Sequence, residues 1–388
     1  MRSTAAHRLT EQPDQDAGPV ASRRRENSSG PRRVLRLTTV QRAGELEQAG
    51  PATGHFGIAA DTFSIRAPDG ERIHIPLAFD PRTDPYLALT SPAKIRSYYD
   101  AEGYVVIRNA IDARLCDEAT SAFASEVKPY RGYIYRQASA TPEKNIFTEH
   151  GHVPNSLLNI QDLDRRSFPR FRDSGMRIIT HDSIQRAVRT LVGESGKLTQ
   201  SMYFDGNPAT WAHQDTYYLD STDRGRMTAV WIALEDIHPG AGRFFVYPRS
   251  HLIDMAKNGG AFDVAFNHDR YKKLVLDTIR SQRLTCRAPA LRKGDVLFWA
   301  VRTIHGSLET RTHHSRASFT SHFIPESTTL LQFETRPRKL KVHVVNGVQV
   351  HHPKDQNRAL NRGILRLETT FPRAFHAAKR LAVKALTR

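Results

Sequence analysis

The chain has 388 residues, 39% of them hydrophobic, enough to bury a sizeable core in one large domain with extensions. Its net charge is +17, and its only cysteines, Cys116 and Cys286, have no metal-binding spacing, which excludes a disulfide framework and a thiolate zinc site and fits a reducing cytoplasm. The polar N-terminus has no apolar signal-peptide core and no run nears the ~18 apolar residues of a membrane span, so a soluble, cytoplasmic protein is expected.

Taken in order, residues 1–50 are rich in Arg, Ser, Gln and Gly without apolar periodicity and read as a disordered extension. Apolar and polar residues then alternate from Gly57 to Phe79 around Pro68, Asp69 and Gly70, which predicts a hairpin. Ser91 and Pro92 open a helix that stops near Gly103, a strand follows from Tyr104 to Arg108, and Asp112 to Lys128 forms a second helix ended by Pro129. The polar stretch from Arg131 to Asn155 is long enough to be a lid or a substrate-facing loop. His181 to Val192 has helical spacing, and Leu198 to Phe204 reads as a strand. Beyond these, Met227–Leu234, Arg243–Tyr247, Thr285–Ala288, Asp295–Val301 and Arg316–Ile324 are short, turn-bounded runs of the kind that builds a jelly roll. A helix from Asn267 to Gln282 interrupts them on the outside of the barrel.

The chemistry is concentrated in Trp211 to Tyr218. If this stretch is a strand, His213 and Asp215 point the same way and Gln214 points away. A His-x-Asp triplet arises about once by chance at this composition, so its context has to carry the reading. That context includes His305 in a Gly306–Ser307 turn, after the apolar run Asp295 to Trp299, and Arg316 eleven residues further on. Two imidazoles and a carboxylate on one side of a metal leave the opposite positions open, which suits non-haem Fe(II) with O₂ and a co-substrate. An arginine fork nearby can hold the far carboxylate of 2-oxoglutarate through paired, charge-assisted hydrogen bonds. Gln200 projects from the strand before the metal strand, within reach of co-substrate or substrate. His150, His152 and the pairs His313–His314 and His351–His352 lack carboxylate or cysteine partners at ligand spacing and read as solvated loops. There is no glycine-rich phosphate loop and no Gly-x-Ser-x-Gly elbow, which removes nucleotide and serine hydrolysis.

From Ser91 to Pro325 the chain resembles the phytanoyl-CoA dioxygenase family of Fe(II)/2-oxoglutarate oxygenases. The resemblance rests on Gly103–Asn109, His213–Asp215, Val230–Asp236, Pro248–His251, Lys293–Val296, His305–Ser307 and Arg316–Ser318, all in the family's order. It implies a mainly β fold with flanking helices, built on a double-stranded β-helix (jelly-roll, cupin-like) core. It further implies Fe(II) held by His213, Asp215 and His305, and 2-oxoglutarate held by Arg316 with help from Ser307, Ser318 and Trp231. Asn159 stands where the family's prototype has a lysine on the co-substrate, and His251 lies in a segment that resembles the family's structural turn and not its metal site. The implied domains are an extension over 1–50, the oxygenase domain over 51–334 and a basic extension over 335–388.

The implied reaction is oxidative decarboxylation of 2-oxoglutarate to succinate and CO₂ with hydroxylation of an aliphatic C–H bond in a small-molecule substrate. Desaturation, cyclisation or epimerisation by the same machinery is the alternative, and a non-catalytic basic binding protein is the runner-up from another class. Residues 335–388 carry 13 Lys/Arg against 2 Asp/Glu, a balance of +11, which favours an anionic partner. Zinc-finger spacings and RNP-like strands are absent, which speaks against nucleic acid. Phe371 to Arg388 forms a basic amphipathic helix: Phe371, Phe375, Ala378, Ala382, Ala385 and Leu386 line one face, and Arg373, Arg380, Lys384 and Arg388 the other. Such a helix either docks on the barrel or makes peripheral contact with an anionic membrane.

Overall fold

The computed structural model describes residues 62–77, 90–206, 209–253, 255, 268–310, 312–333 and 336–386. All belong to the unit Ala60–Arg388. The expected disordered extension over 1–50 lies outside them.

Most of the first half follows from local chemistry. β1 (Thr62–Arg66) and β2 (Arg72–Pro76) form the expected hairpin. α1 (Pro92–Glu102) starts on a proline and ends at Gly103, whose φ of 79° is left-handed, so glycine is the residue that closes the helix there. β3 (Tyr104–Ile107) leads to α2 (Ala113–Ala122), where the Asp112 side chain caps the first turn by accepting from the Arg114 amide. A π turn over Phe123–Val127 completes that helix. The stretch expected as a lid is tied down through β4 (Ile134–Tyr135) and β5 (Pro142–Glu143), with the buried Arg136 guanidinium donating to the carbonyls of Asn155 and Glu143 and to Asn145 Oδ1. β6 (Leu157–Leu158) is followed by α3 (Pro169–Ile179), which the sequence reading left unassigned, and by α4 (Asp182–Val192).

The second half is mostly strands, as expected: β7 (Gly196–Phe204), β8 (Thr210–His213), β9 (Leu219–Ser221), β10 (Thr228–Ala233) and β11 (Phe244–Val246). α5 (His268–Ser281) interrupts them before β12 (Val296–Ala300), β13 (His305–Ser307) and β14 (Ser318–Pro325). The strand expected over Thr285–Ala288 is reduced to a single bridge between Arg287 and Val246. The chain then adds β15 (Leu330–Gln332), β16 (Arg336–Arg338), β17 (Val342–Val345), β18 (Val348–His351), α6 (Ala359–Thr370) and α7 (Pro372–Leu386).

The major sheet runs in the order β17-β18-β7-β14-β10-β12-β3, with β6 also paired to β7, and the minor sheet in the order β11-β13-β8. Strands that are consecutive in sequence therefore alternate between facing sheets, which is a double-stranded β-helix and the fold expected. Period-2 alternation divides each strand of the major sheet between two cores. Tyr104, Val106, Ala229, Trp231, Leu297 and Trp299 point inward and meet Phe244 and Val246 of the minor sheet. Val105, Ile107, Val230, Ile232, Phe298, Phe319 and Phe323 point outward under α2, α3 and α4. Each such fully buried apolar side chain stabilises the fold by about 1.5–3 kcal/mol. On the outer face of the minor sheet, Phe245 and Ile304 pack against Tyr271, Val275 and Ile279 of α5.

Residues 335–388, expected as an extension, enter the main sheet: β18 lies parallel to β7, with Gln349 opposite Lys197 and Val350 opposite Leu198. Phe371 caps the end of α6, so it does not open the terminal helix as the sequence reading had it. Both cysteines are free and buried, and burial pushes the Cys116 thiol up to about 12. No helix among the described residues is long and apolar enough to cross a membrane.

Candidate active site

β8 and β13 pair so that His213 and His305 sit directly opposite each other. Pairing this close needs Gly306, where a Cβ would stand 2.5 Å from the Thr210 carbonyl and 2.7 Å from the Phe245 ring. β8 ends at His213; Asp215 opens a 3₁₀ turn over Asp215–Tyr217. The intervening Gln214 is extended, with φ −107° and ψ 137°, so the side-chain alternation survives one residue past the strand. Its side chain turns away and donates to the Arg302 carbonyl at 2.5 Å.

Asp215 Oδ1 lies 3.6 Å from His213 Nε2 and 3.6 Å from His305 Nε2. All three ligand atoms fall within 4.8 Å of one another, the single such cluster among the described residues. Each imidazole is fixed by its other nitrogen: His213 Nδ1 donates to the Trp211 carbonyl at 2.8 Å and His305 Nδ1 to the Thr303 carbonyl at 2.9 Å. A carbonyl can only accept, so both Nε2 atoms present lone pairs toward Asp215. The second carboxylate oxygen, Oδ2, accepts from Trp299 Nε1 at 2.9 Å and lies 3.4 Å from His322 Nε2. Burial alone would raise the Asp215 pKa, but His305, His213 and His322 outweigh it and hold the group well below the usual carboxylate range. Burial pushes His305 down to about 4 against the pull of Asp215, which keeps it neutral and able to ligate.

Arg316 is 2% exposed. Its Nη1 donates to the Gly242 carbonyl at 2.9 Å, and its guanidinium stacks 5.0 Å from the Phe204 ring centroid and 5.9 Å from that of Trp231. Among the described residues no carboxylate lies within ion-pair distance of it, and its buried Nε has no hydrogen-bond partner. Burial pushes its pKa down to about 9. Trp231 Nε1 is likewise buried without a partner. The Phe244 ring connects the two groups of residues, 6.2 Å from Trp231 and 5.4 Å from His305.

The remaining expected residues divide between this space and its surroundings. Ser307 Oγ accepts from the Thr210 amide at 3.1 Å, and Ser318 Oγ donates to the Arg316 carbonyl at 3.1 Å. Gln200 faces His322 across β7 and β14. Asn159 makes different contacts: its carboxamide oxygen accepts from Gln161 Nε2 at 3.4 Å, and Gln161 in turn accepts from Ser201 of β7. His251 holds a structural turn through the Asp100 carbonyl, as expected. Sequence reasoning missed Trp299, His322 and Phe244. His322 is six residues past Arg316 on β14, an even number, so strand alternation from Arg316 would have placed it on the same face.

The donor set fits Fe(II), since two neutral imidazole nitrogens and one carboxylate oxygen gather on one side of a common point. The buried, uncompensated Arg316 and the orphaned indole N–H of Trp231 fit a dicarboxylate co-substrate. Fe(II), 2-oxoglutarate and O₂ are thus the cofactors these residues serve.

Comparison with known proteins agrees with this reading. The chain is 28% identical over 207 residues to the mouse (Mus musculus) phytanoyl-CoA dioxygenase domain-containing protein 1, covering 48% of this chain and 65% of that protein. It is 22% identical over 247 residues to human (Homo sapiens) peroxisomal phytanoyl-CoA dioxygenase, covering 59% of this chain and 67% of the relative. Among solved structures it is similar to the α-ketoglutarate-dependent carbocyclase SnoK from nogalamycin biosynthesis, with TM-score 0.46, 19% identity, and coverage of 63% of this chain and 86% of SnoK. It is also similar to EctD from S. alaskensis, with TM-score 0.46, 17% identity, and coverage of 78% of this chain and 95% of EctD. Residues 99–318, more than half of the chain and the span that holds the triad and Arg316, match the phytanoyl-CoA dioxygenase (PhyH) family, and the chain belongs to that family, whose chemistry is that of Fe/2-oxoglutarate-dependent oxygenases.

Proposed function

We propose that the protein hydroxylates an aliphatic C–H bond of a small molecule, converting 2-oxoglutarate to succinate and CO₂. The observation that carries the proposal is Arg316, a fully buried guanidinium that faces no carboxylate among the described residues and is joined to the His213–Asp215–His305 triad through Trp231 and Phe244. Burying an unpaired charge is costly, and a dicarboxylate ligand supplies the missing partner.

Each residue has a role in this reading. His213, Asp215 and His305 hold the metal, with Trp299 and His322 engaging the Asp215 oxygen that faces away from the two histidines. Arg316 anchors the distal carboxylate of 2-oxoglutarate, with Trp231 donating from its indole and with Ser307 and Ser318 at the same end of the site. The aromatic walls Phe244, Trp231 and Phe204 exclude water around these groups. When bound, Fe(II) activates O₂ at the expense of the co-substrate. Asp215 also makes a distinction within this chemistry: enzymes that halogenate need a small residue there to free a position for halide, so no halogenated product is expected even in high chloride.

Anaerobic titration with Fe(II) and 2-oxoglutarate should give a metal-to-ligand charge-transfer absorption that Asp215→Ala and Arg316→Met both lose. Succinate release across amino acids, acyl thioesters, sugars and antibiotic-like scaffolds would then identify the substrate, and ¹⁸O₂ should label its product. A product that is unsaturated, cyclised or epimerised and carries no label would replace hydroxylation with that outcome.

A further inference from the structure

α6 carries apolar residues on both of its sides. Toward the domain, Ile364 and Leu365 are half-buried and Glu368 is buried, accepting from Tyr135 Oη at 2.8 Å, while Arg362 and Asn361 tie the helix to the turn before it by donating to the carbonyls of Gln356, Asn357 and Asp355. Its other large apolar residues face out, with Leu360 75%, Leu367 55% and Phe371, at its C-terminal end, 60% exposed. They are spaced by seven and then four residues, which places them in one stripe along the helix. On α7, Leu381 is 68% exposed. A single exposed leucine is ordinary, but four exposed large apolar side chains on two consecutive helices call for a partner.

The charges on the same segment identify that partner. Arg358, Arg366, Arg373 and Lys379 are exposed, while Glu368, the sole acidic residue of the two helices, is turned inward and bonded. A second copy would bring two segments of +11 face to face, and residues 1–50 of the same chain are also cationic, with 9 Lys/Arg against 6 Asp/Glu. The occupant must therefore offer anions and an apolar interior together. We propose that α6 and α7 form a peripheral contact with an anionic lipid bilayer. Leu360, Leu367, Phe371 and Leu381 enter the boundary between headgroups and acyl chains, and Arg366, Arg373 and Lys379 meet the phosphates. Helices of 12 and 15 residues lie in the interface and do not cross it. The contact is independent of the reaction proposed above.

The test uses the full-length protein, sedimented with phosphatidylglycerol–phosphatidylcholine vesicles and with phosphatidylcholine vesicles. Binding is expected to the anionic vesicles at low salt and to be released at high salt. Leu367→Ser with Phe371→Ser should abolish it with little change in the thermal midpoint, because both side chains are more than half exposed. Arg366→Gln, Arg373→Gln and Lys379→Gln together should weaken it by about 100-fold. No vesicle binding at low salt, or binding unchanged in either variant set, would overturn the proposal. A dimer in sedimentation velocity that the Leu367/Phe371 variant dissolves, with no vesicle binding, would assign the face to a second copy. Equal retention on a soluble polyanion, insensitive to Leu367→Ser and Phe371→Ser, would reduce the contact to charge alone.

Discussion

Burying an arginine without a carboxylate costs free energy, and among the described residues Arg316 has one carbonyl and two aromatic faces to offset that cost. Arg316→Met should therefore stabilise the ligand-free protein by about 2–4 kcal/mol while removing the thermal shift produced by 2-oxoglutarate. A midpoint that does not rise would show that the guanidinium is already compensated. Arg316→Lys keeps the charge but loses the planar fork, so the KM for 2-oxoglutarate should rise about tenfold or more. An unchanged KM would move the distal carboxylate to another residue. Around the metal, Trp299→Phe keeps the ring and deletes only the N–H that donates to Asp215 Oδ2. Fe(II) affinity, measured against a competing chelator, should fall about 10–100-fold, and unaltered affinity would make the indole a packing residue alone. His305 sets a pH limit. Its folded pKa of about 4 lies below the unfolded value of 6.5 because of burial, so the stability it contributes is present above pH 6.5 and is lost as pH falls through about 4. Urea midpoints followed over that range should fall less steeply in His305→Asn than in the parent; parallel curves would assign the acid sensitivity to other groups.

At the level of elements, the triad depends on how closely β8 approaches β13. Gly306→Ala would drive a methyl group into the Thr210 carbonyl and the Phe245 ring, forcing the strands apart and His213 away from His305. The expected result is a loss of about 1–3 kcal/mol in stability together with a large loss of Fe(II) affinity. Stability lost with metal binding intact would separate the two effects. This strand pair also shows what the sequence made legible. Alternation placed His213 and Asp215 on one side, because two residues of extended backbone suffice for that even where the strand ends between them. Turn signals delimited β10, β11, β12 and β14 closely. α3 escaped notice because Gly175 interrupts its helical pattern; in the fold that glycine lets the helix close on Ile160 and Phe319, whose atoms would lie 3.0 Å from a Cβ there. Trp299 and His322 read as ordinary strand residues, since their role depends on Asp215, which is distant in sequence and meets them only through sheet closure.

For the whole molecule, the main discrepancy concerns residues 335–388, which composition marks as a basic tail and the fold builds into the domain. Composition registers charge but not pairing: β17 and β18 are short and half-exposed, and β18 finds its place only against β7. The segment also completes a buried polar network. His352 Nδ1 lies 3.1 Å from Asp162 Oδ1, the Lys354 amide donates to Asp162 Oδ2 at 2.7 Å, and Gln161 Nε2 donates to the His351 carbonyl at 3.0 Å. Burial raises the pKa of Asp162, and these partners act against that rise. Two truncations should therefore behave differently. A chain ending at Thr370 loses α7 and the exposed cap residue Phe371; the thermal midpoint should hardly move, while vesicle binding is lost. A chain ending at His351 keeps β18 but strips Asp162 of both partners and Tyr135 of Glu368, leaving buried polar groups unpaired. That truncation should cost about 3–5 kcal/mol, read from urea unfolding. Asp162→Asn in the shorter chain should recover part of the loss, because a neutral amide is cheaper to leave buried than a carboxylate. Equal midpoints for the two truncations would show that the tail is an appendage after all, and that the Asp162 network forms without it.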